Sequence, residues 1–221
     1  MTTDDKAPRV LVAGFEPFEN DPVNPAWEIA RSLDGWTCEG TVVQAVQLPC
    51  VFGRAIDTLD EALVGPAPRL VLCIGAAGGR TEISLERAAL NVDDARIPDN
   101  AGQLPIDRAI VPGGPAAYFA TLPIKAAFAA LRQAGLPAIV SNTAGTFVCN
   151  HVFYGLMHRA ATTRPALRGG FLHVPYLPAQ AARIDGAPSM ALADIVRGIE
   201  IVLAIAATRT EDIDTVEGAV S

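Results

Sequence analysis

The sequence has no block of basic residues, and its 17 Lys and Arg are outnumbered by 24 Asp and Glu, for a net charge of −7. An acidic chain without basic clusters is poorly suited to phosphate backbones or anionic lipids, so we expect no nucleic-acid partner. Charged residues interrupt the apolar segment 189–208, so we expect no membrane span. Residues 1–9 are polar and lack the apolar stretch of a signal peptide, which predicts a cytoplasmic location.

Metal and cofactor motifs are also missing. The four cysteines form no Cys-x-x-Cys pair and show no zinc-ligand spacing, so we expect free thiols and no metal. Asp93 and Asp94 are adjacent and would point in different directions on a strand, with no histidine nearby. Residues 75–79 are glycine-rich but lack the G-x-G-x-x-G spacing of a dinucleotide site. We therefore expect no cofactor.

The chain does contain apolar runs that alternate with helical patterns. The predicted strands are residues 9–14, 41–48, 69–74, 136–140 and 170–174, and the predicted helices are residues 24–33, 52–64, 115–133, 147–161 and 188–208. This alternation predicts a single-domain α/β protein over residues 1–221, a three-layer α/β/α sandwich with an open, mostly parallel twisted sheet. Residues 80–113 form a polar segment rich in carboxylates and arginine, and its centre, residues 93–102, is predicted to be loop or hairpin. Residues 1–8 and 211–221 are predicted to be flexible tails.

Cys149 is the residue on which a functional hypothesis can be built. It follows a predicted strand and a small polar turn, and it lies in the first turn of the next predicted helix. The N–H groups and the macrodipole at a helix N-terminus favour a thiolate, so we expect the pKa of Cys149 to be lowered. Because the thiolate is the nucleophile, this position predicts a reactive cysteine.

A nucleophilic cysteine needs a base, and only three histidines are present. His151 lies about 200° around the helix from Cys149, and His158 lies about 180° around and roughly 13 Å along it, so both point away. His173, at the end of another predicted strand, is the remaining candidate. A carboxylate should orient its ring, and the pattern leaves six open. These candidates are Glu16, Glu82, Glu86, Asp93, Asp94 and Asp99.

Seven segments together resemble the pyroglutamyl peptidase I family of cysteine peptidases. They occur in the family's order and are GFEPF at 14–18, GGR at 78–80, ERAALN at 86–91, DARIPDN at 94–100, GGPAAY at 113–118, TAGTFVCNH at 143–151 and GGFLHVPY at 169–176. The resemblance implies an omega-peptidase that removes an N-terminal pyroglutamyl residue from peptides. It also implies an α/β/α sandwich, residence in the cytosol, no cofactor, and a homotetramer or homodimer.

The resemblance also implies roles for individual residues. Cys149 would be the nucleophile, His173 the base and Glu86 the orienting carboxylate. The walls of the lactam pocket would be Phe15, Phe18, Phe147 and Val148, and Arg96 would lie near the scissile carbonyl. The chain departs from the family at Ala76, where glutamine is usual, and at residues 19–20, where two glycines are common.

Two alternatives follow from these departures. A thiol hydrolase on the same scaffold could act on another N-blocked peptide or cyclic amide, because Ala76 removes an amide from the pocket. A non-catalytic protein that binds small molecules on an inherited fold is the second alternative, against which the intact Cys149, His173 and Glu86 argue.

Overall fold

The computed structural model of the chain describes residues 8–19 and 21–216. Its elements, in order, are β1 (Arg9–Phe15), α1 (Pro25–Ser32), β2 (Thr37–Cys38), β3 (Thr41–Leu48), α2 (Arg54–Ala62), β4 (Leu70–Ala76), β5 (Ile83–Glu86), β6 (Ala88–Leu90), β7 (Ala117–Phe119), α3 (Ile124–Gln133), β8 (Ala138–Ser141), α4 (Val148–Thr162), β9 (Arg168–Val174), α5 (Pro178–Ala181) and α6 (Leu192–Thr208). Of the tails predicted to be flexible, residues 1–7 and 217–221 lie outside this description. Within the second tail, the Asp212 carboxylate accepts hydrogen bonds from the Lys125 and Ala126 N–H groups, each 2.9 Å long.

Seven strands of the described chain form one sheet in the order β2-β3-β1-β4-β9-β5-β8. The central strands β3, β1, β4 and β9 are parallel, β2 is antiparallel to β3, and β5 is antiparallel to β9 and parallel to β8. Strands β1, β4 and β9 are almost entirely buried, as expected for strands covered on both faces. The predicted α/β class with a mostly parallel sheet is confirmed.

Two apolar cores lie on opposite faces of this sheet. One contains Ile29 of α1, Leu131 of α3 and Ile199 of α6. The other contains Leu59 of α2 and Phe153 of α4. Helix α4 is buried along most of its length, and its N-terminus meets the sheet where β4 and β9 end. The predicted three-layer arrangement therefore delivers residue 149 to the carboxyl edge of the parallel strands.

The structure corrects several predicted elements. The polar segment 80–113 contains β5 and β6, which were not predicted, and β5 is an interior strand of the main sheet. The helix predicted from residue 115 begins only at Ile124, because residues 117–119 form β7 and Pro123 occupies the N-cap. The last helix begins at Leu192 rather than at residue 188, and the short helix α5 was not predicted.

Helix α1 begins at the predicted N-cap. The Asn24 Oδ1 accepts a hydrogen bond of 3.0 Å from the Ala26 N–H, and its Nδ2 donates one of 2.9 Å to the Glu16 carbonyl. We expect Asn24→Ala to lower the free energy of unfolding by about 1 kcal/mol, since a helix N–H loses its acceptor. Urea denaturation measures this change, and Asn24→Ser, which keeps a capping oxygen, is the control. Equal losses in both variants would contradict a capping contribution.

Candidate active site

The Cys149 thiol packs against the backbone at the end of β4. A Cβ atom added to Gly75 would lie 2.8 Å from Cys149 Sγ, so only glycine leaves room for the thiol at this position. Gly75 is paired in parallel register with His173 on the neighbouring strand β9. Since the two strands are hydrogen-bonded, the thiol lies beside the strand position that carries His173.

His173 and Glu86 form a buried pair. His173 Nδ1 lies 2.7 Å from Glu86 Oε1, and the two side chains are 6% and 0% exposed. The carboxylate can only accept, so Nδ1 carries the hydrogen and Nε2 of the neutral ring is left as an acceptor. Strand β5 makes this contact, because its antiparallel register with β9 sets Glu86 diagonally across from His173.

Arg80 is a third member of this cluster that the sequence analysis did not assign to the site. Its Nη1 donates a 2.8 Å hydrogen bond to Glu86 Oε1, the oxygen that His173 also contacts. Arg80 follows the turn after β4, and its side chain is 34% exposed. The available sequence signal was its place in the GGR segment, directly after a buried strand.

The pKa of Cys149 differs from the prediction. Burial raises the pKa of the thiol to about 12, the negative charge of Glu86 also raises it, and Arg80 and the Cys149 N–H lower it by less. The expectation of a lowered pKa was therefore wrong as a net effect. A thiol in this environment forms little thiolate near neutral pH unless a neighbouring group accepts its proton.

A cavity of about 350 Å³ opens beside the thiol. Three of the predicted pocket residues line it: Phe15, Phe18 and Phe147. The rings of Phe18 and Phe147 are 5.4 Å apart between centroids. Val148 is fully buried in the core behind the cavity, and Arg96 is exposed on its loop; neither is among the described residues that line the cavity.

Several lining residues were not predicted for the site. They are Glu19, Asp21, Val23, Asn24, Pro25, Cys50, Gly78, Tyr176, Gln180 and Ile184, and Ala76 also lines the cavity. A Cβ atom on Gly78 would lie 2.2 Å from Tyr176 Cζ, so glycine is required for the tyrosine ring to close this side. Burial favours a higher pKa for Asp21, but hydrogen bonds from Gln180, Arg183 and the Val23 N–H lower it overall. One wall of the cavity is therefore anionic near neutral pH.

The other two histidines are engaged elsewhere. His151 Nδ1 lies 2.8 Å from Asp93 Oδ2, and its Nε2 accepts a 2.9 Å hydrogen bond from the Gly53 N–H. His158 Nδ1 lies 2.9 Å from the Tyr118 hydroxyl. Both rings are therefore held by groups other than Cys149.

Metal-ligand clusters and membrane-spanning helices are both absent from residues 8–19 and 21–216. No group of three or more His, Cys, Asp or Glu side chains there is arranged to hold a metal ion. None of the described helices combines the length and apolar character needed to cross a membrane.

A partly exposed cysteine at a helix start, next to a buried histidine–carboxylate pair at the edge of an α/β sheet, defines the class of cysteine-type hydrolases. The family model described as pyroglutamyl peptidase matches residues 8–209. The chain belongs to the pyroglutamyl peptidase family.

Individual relatives agree along nearly the whole chain. A pyrrolidone-carboxylate peptidase of Cupriavidus taiwanensis is 60% identical and covers 93% of this chain and 96% of its own length. One from Streptomyces coelicolor is 54% identical over 96% of this chain and 98% of its own length. The crystal structure of pyroglutamyl peptidase I from Bacillus amyloliquefaciens matches with a TM-score of 0.92 and 44% identity, over 95% of this chain and 99% of that one.

Proposed function

We propose that this protein removes N-terminal pyroglutamyl residues from peptides, with Cys149 as the nucleophile. The observation that carries the proposal is the buried His173–Glu86 pair at 2.7 Å, beside a thiol that opens into an aromatic cavity. Membership of the pyroglutamyl peptidase family and the names of the relatives support the same substrate.

In the proposed reaction, His173 Nε2 takes the proton of Cys149 while Glu86 stabilises the imidazolium at Nδ1. The thiolate attacks the pyroglutamyl carbonyl, and the negative charge on its oxygen is held by N–H groups at the start of α4. His173 then protonates the leaving amine, and water hydrolyses the thioester. Arg96 remains a candidate oxyanion donor that would have to move toward the cavity, since its side chain is exposed.

The cavity suits a neutral ring. A pyroglutamyl residue has no charged α-ammonium, and its lactam is apolar on its faces and polar at two edges. Phe18 and Phe147 offer apolar surface to such a ring, with backbone groups available to its edges. Val148 supports this wall from behind, since it is buried directly before Cys149 in α4.

Hydrolysis of a fluorogenic pyroglutamyl amide tests the function. We expect turnover of this amide and none of the matching prolyl amide, whose ring nitrogen is charged. Absence of turnover by the folded wild-type protein would reject the assignment.

A second candidate is the same hydrolase chemistry on another N-blocked or cyclic amide. It is favoured by Ala76, which lines the cavity where the family usually has glutamine. Preference for an N-acetyl amide over the pyroglutamyl amide would support it.

Alkylation by iodoacetamide tests the base. We expect Cys149 of the wild type to react at neutral pH, because His173 accepts its proton. In His173→Gln the thiol has no base to accept its proton, and burial still favours its neutral form. Alkylation should therefore accelerate only at strongly alkaline pH. Peptide mass analysis follows each cysteine, with Cys38 as the internal control. Identical pH profiles in both proteins would contradict the role of His173.

Location and assembly complete the proposal. We propose a cytoplasmic enzyme, consistent with four free thiols in the described residues, that works as a homotetramer or homodimer. Light scattering after size-exclusion chromatography measures the assembly, and a monomer at micromolar concentration would contradict it.

A further inference from the structure

Two buried oxygens next to His173 have no hydrogen-bond partner among the described residues. They are Ser84 Oγ and Glu86 Oε2. Both residues are 0% exposed, so bulk solvent does not reach them. A buried carboxylate oxygen without a donor is costly, and native proteins commonly resolve such cases with an internal water.

The two oxygens belong to one face of β5. Ser84 and Glu86 are two residues apart on the strand, so their side chains point the same way, with Cα atoms about 6.6 Å apart. Ser84 is paired in register with His173, whereas Glu86 is paired with Phe171. Glu86 Oε1 nevertheless reaches His173 Nδ1, so its carboxylate extends along the strand toward Ser84.

One bridging water would give both oxygens a hydrogen-bond partner. The structure has no direct Ser84–Glu86 hydrogen bond, and a water with two hydrogen bonds of about 2.8 Å spans a gap of up to roughly 5 Å. A water needs at least two polar partners in such a site, and these two oxygens provide them. A serine hydroxyl both donates and accepts, so it can hold a water whose own hydrogen points at the carboxylate.

We propose that Ser84 is a positioning residue, which holds one buried water against Glu86 Oε2. The inference rests on the proposed catalytic role of Glu86 and His173. Oε1 is then bonded by His173 and Arg80, and Oε2 by the water. Donors on both oxygens fix the plane of the carboxylate, and through it the orientation of the imidazole.

Loss of the water should shift the pH dependence of kcat/KM in a predictable direction. Within the described part of the chain, three charged or titratable groups face this carboxylate: Arg80 from the turn after β4, His173 from β9 and Cys149 from α4. When Oε2 loses its donor, only His173 and Arg80 still stabilise the negative charge of the carboxylate. The imidazolium is then held more tightly, so the acidic limb of the pH profile of kcat/KM moves to higher pH.

The experiment compares Ser84→Ala with Ser84→Thr, which keeps the hydroxyl. We expect Ser84→Ala to lower kcat/KM on the pyroglutamyl amide about tenfold, to move the acidic limb upward, and to shift the NMR signal of the His173 Nδ1 proton downfield. Ser84→Thr should keep kcat/KM, the acidic limb and the proton signal close to their wild-type values. The control is Thr41→Val, which removes a buried strand hydroxyl at the far edge of the sheet and should change none of them.

Specific outcomes overturn the proposal. A folded Ser84→Ala variant with unchanged kcat/KM, acidic limb and proton signal excludes a positioning role; Ser84→Cys, close in size, decides the matter if the alanine variant does not fold. A high-resolution crystal structure without density between the two oxygens excludes the water. Wild-type inactivity would instead reject the proposed function, while the proton signal would still report on Ser84.

Discussion

Alanine in place of Cys149 is expected to lower kcat/KM for a pyroglutamyl amide by about 10⁴-fold or more, since only substrate binding and the oxyanion donors then remain. Among the described residues, the thiol makes no hydrogen bond to another element, and alanine is smaller than cysteine, so it fits beside Gly75 without a new clash. We therefore expect thermal unfolding close to that of the wild type. A continuous fluorogenic assay and a melting curve measure the two effects.

Cys50 is the matched control for this substitution. It lines the same cavity and is buried, but it lies after β3 rather than at a helix start, and burial raises its pKa. Cys50→Ala should retain activity within about tenfold, since it removes a wall atom and no reacting group. Full activity of Cys149→Ala, or a loss in Cys50→Ala as large as in Cys149→Ala, would contradict the assignment of the nucleophile.

The candidate nucleophile Cys149 and the candidate base His173 were chosen from elementary geometry. A cysteine two residues into a helix cannot face His151 or His158 of the same helix, and these two side chains indeed bond to Asp93 and Tyr118. Strand β4 carries Gly75 and strand β9 carries His173, and both are short apolar runs whose ends are clear in the sequence. Their parallel pairing follows from the alternation of helices and strands.

The carboxylate could not be predicted from composition or period, and only the family resemblance named Glu86. Strand β5 alternates in polarity over four residues within a charged segment, so its sequence does not separate it from a loop. It is nevertheless buried, because it lies between β9 and β8 in the sheet. Which of six carboxylates meets His173 depends on that antiparallel register, a long-range property of the chain.

The sign of the Cys149 pKa shift also depended on tertiary structure. The helix N-terminus favours the thiolate, as the sequence predicts, but the surrounding core and the charge of Glu86 favour the neutral thiol more strongly. The same carboxylate that opposes an isolated thiolate stabilises the imidazolium formed when His173 takes the proton. We therefore expect the reactivity of Cys149 to come from proton transfer to His173 rather than from a permanently ionised thiol.

Glu86→Gln is expected to lower kcat by about 10³- to 10⁴-fold with a small change in KM. The amide that replaces the carboxylate carries no charge to stabilise the imidazolium. Its NH₂ group can also face Nδ1, which would then have to accept and would leave the hydrogen on Nε2, where the thiol proton must go. Arg80 loses its anionic partner in the same variant, so one uncompensated cation remains beside the site. Steady-state kinetics between pH 5 and 9 measures the loss.

Glu82→Gln is the matched control, because it removes a charge four residues earlier without touching His173. It should leave kcat within about twofold, since a partly exposed charge contributes little at this distance. Rescue separates positioning from charge: Glu86→Asp keeps the charge but shortens the reach to His173 and should recover only part of the activity. If Glu86→Gln turns over within tenfold of the wild type while remaining folded, the His173–Glu86 hydrogen bond is structural and the imidazole is oriented by β9 alone.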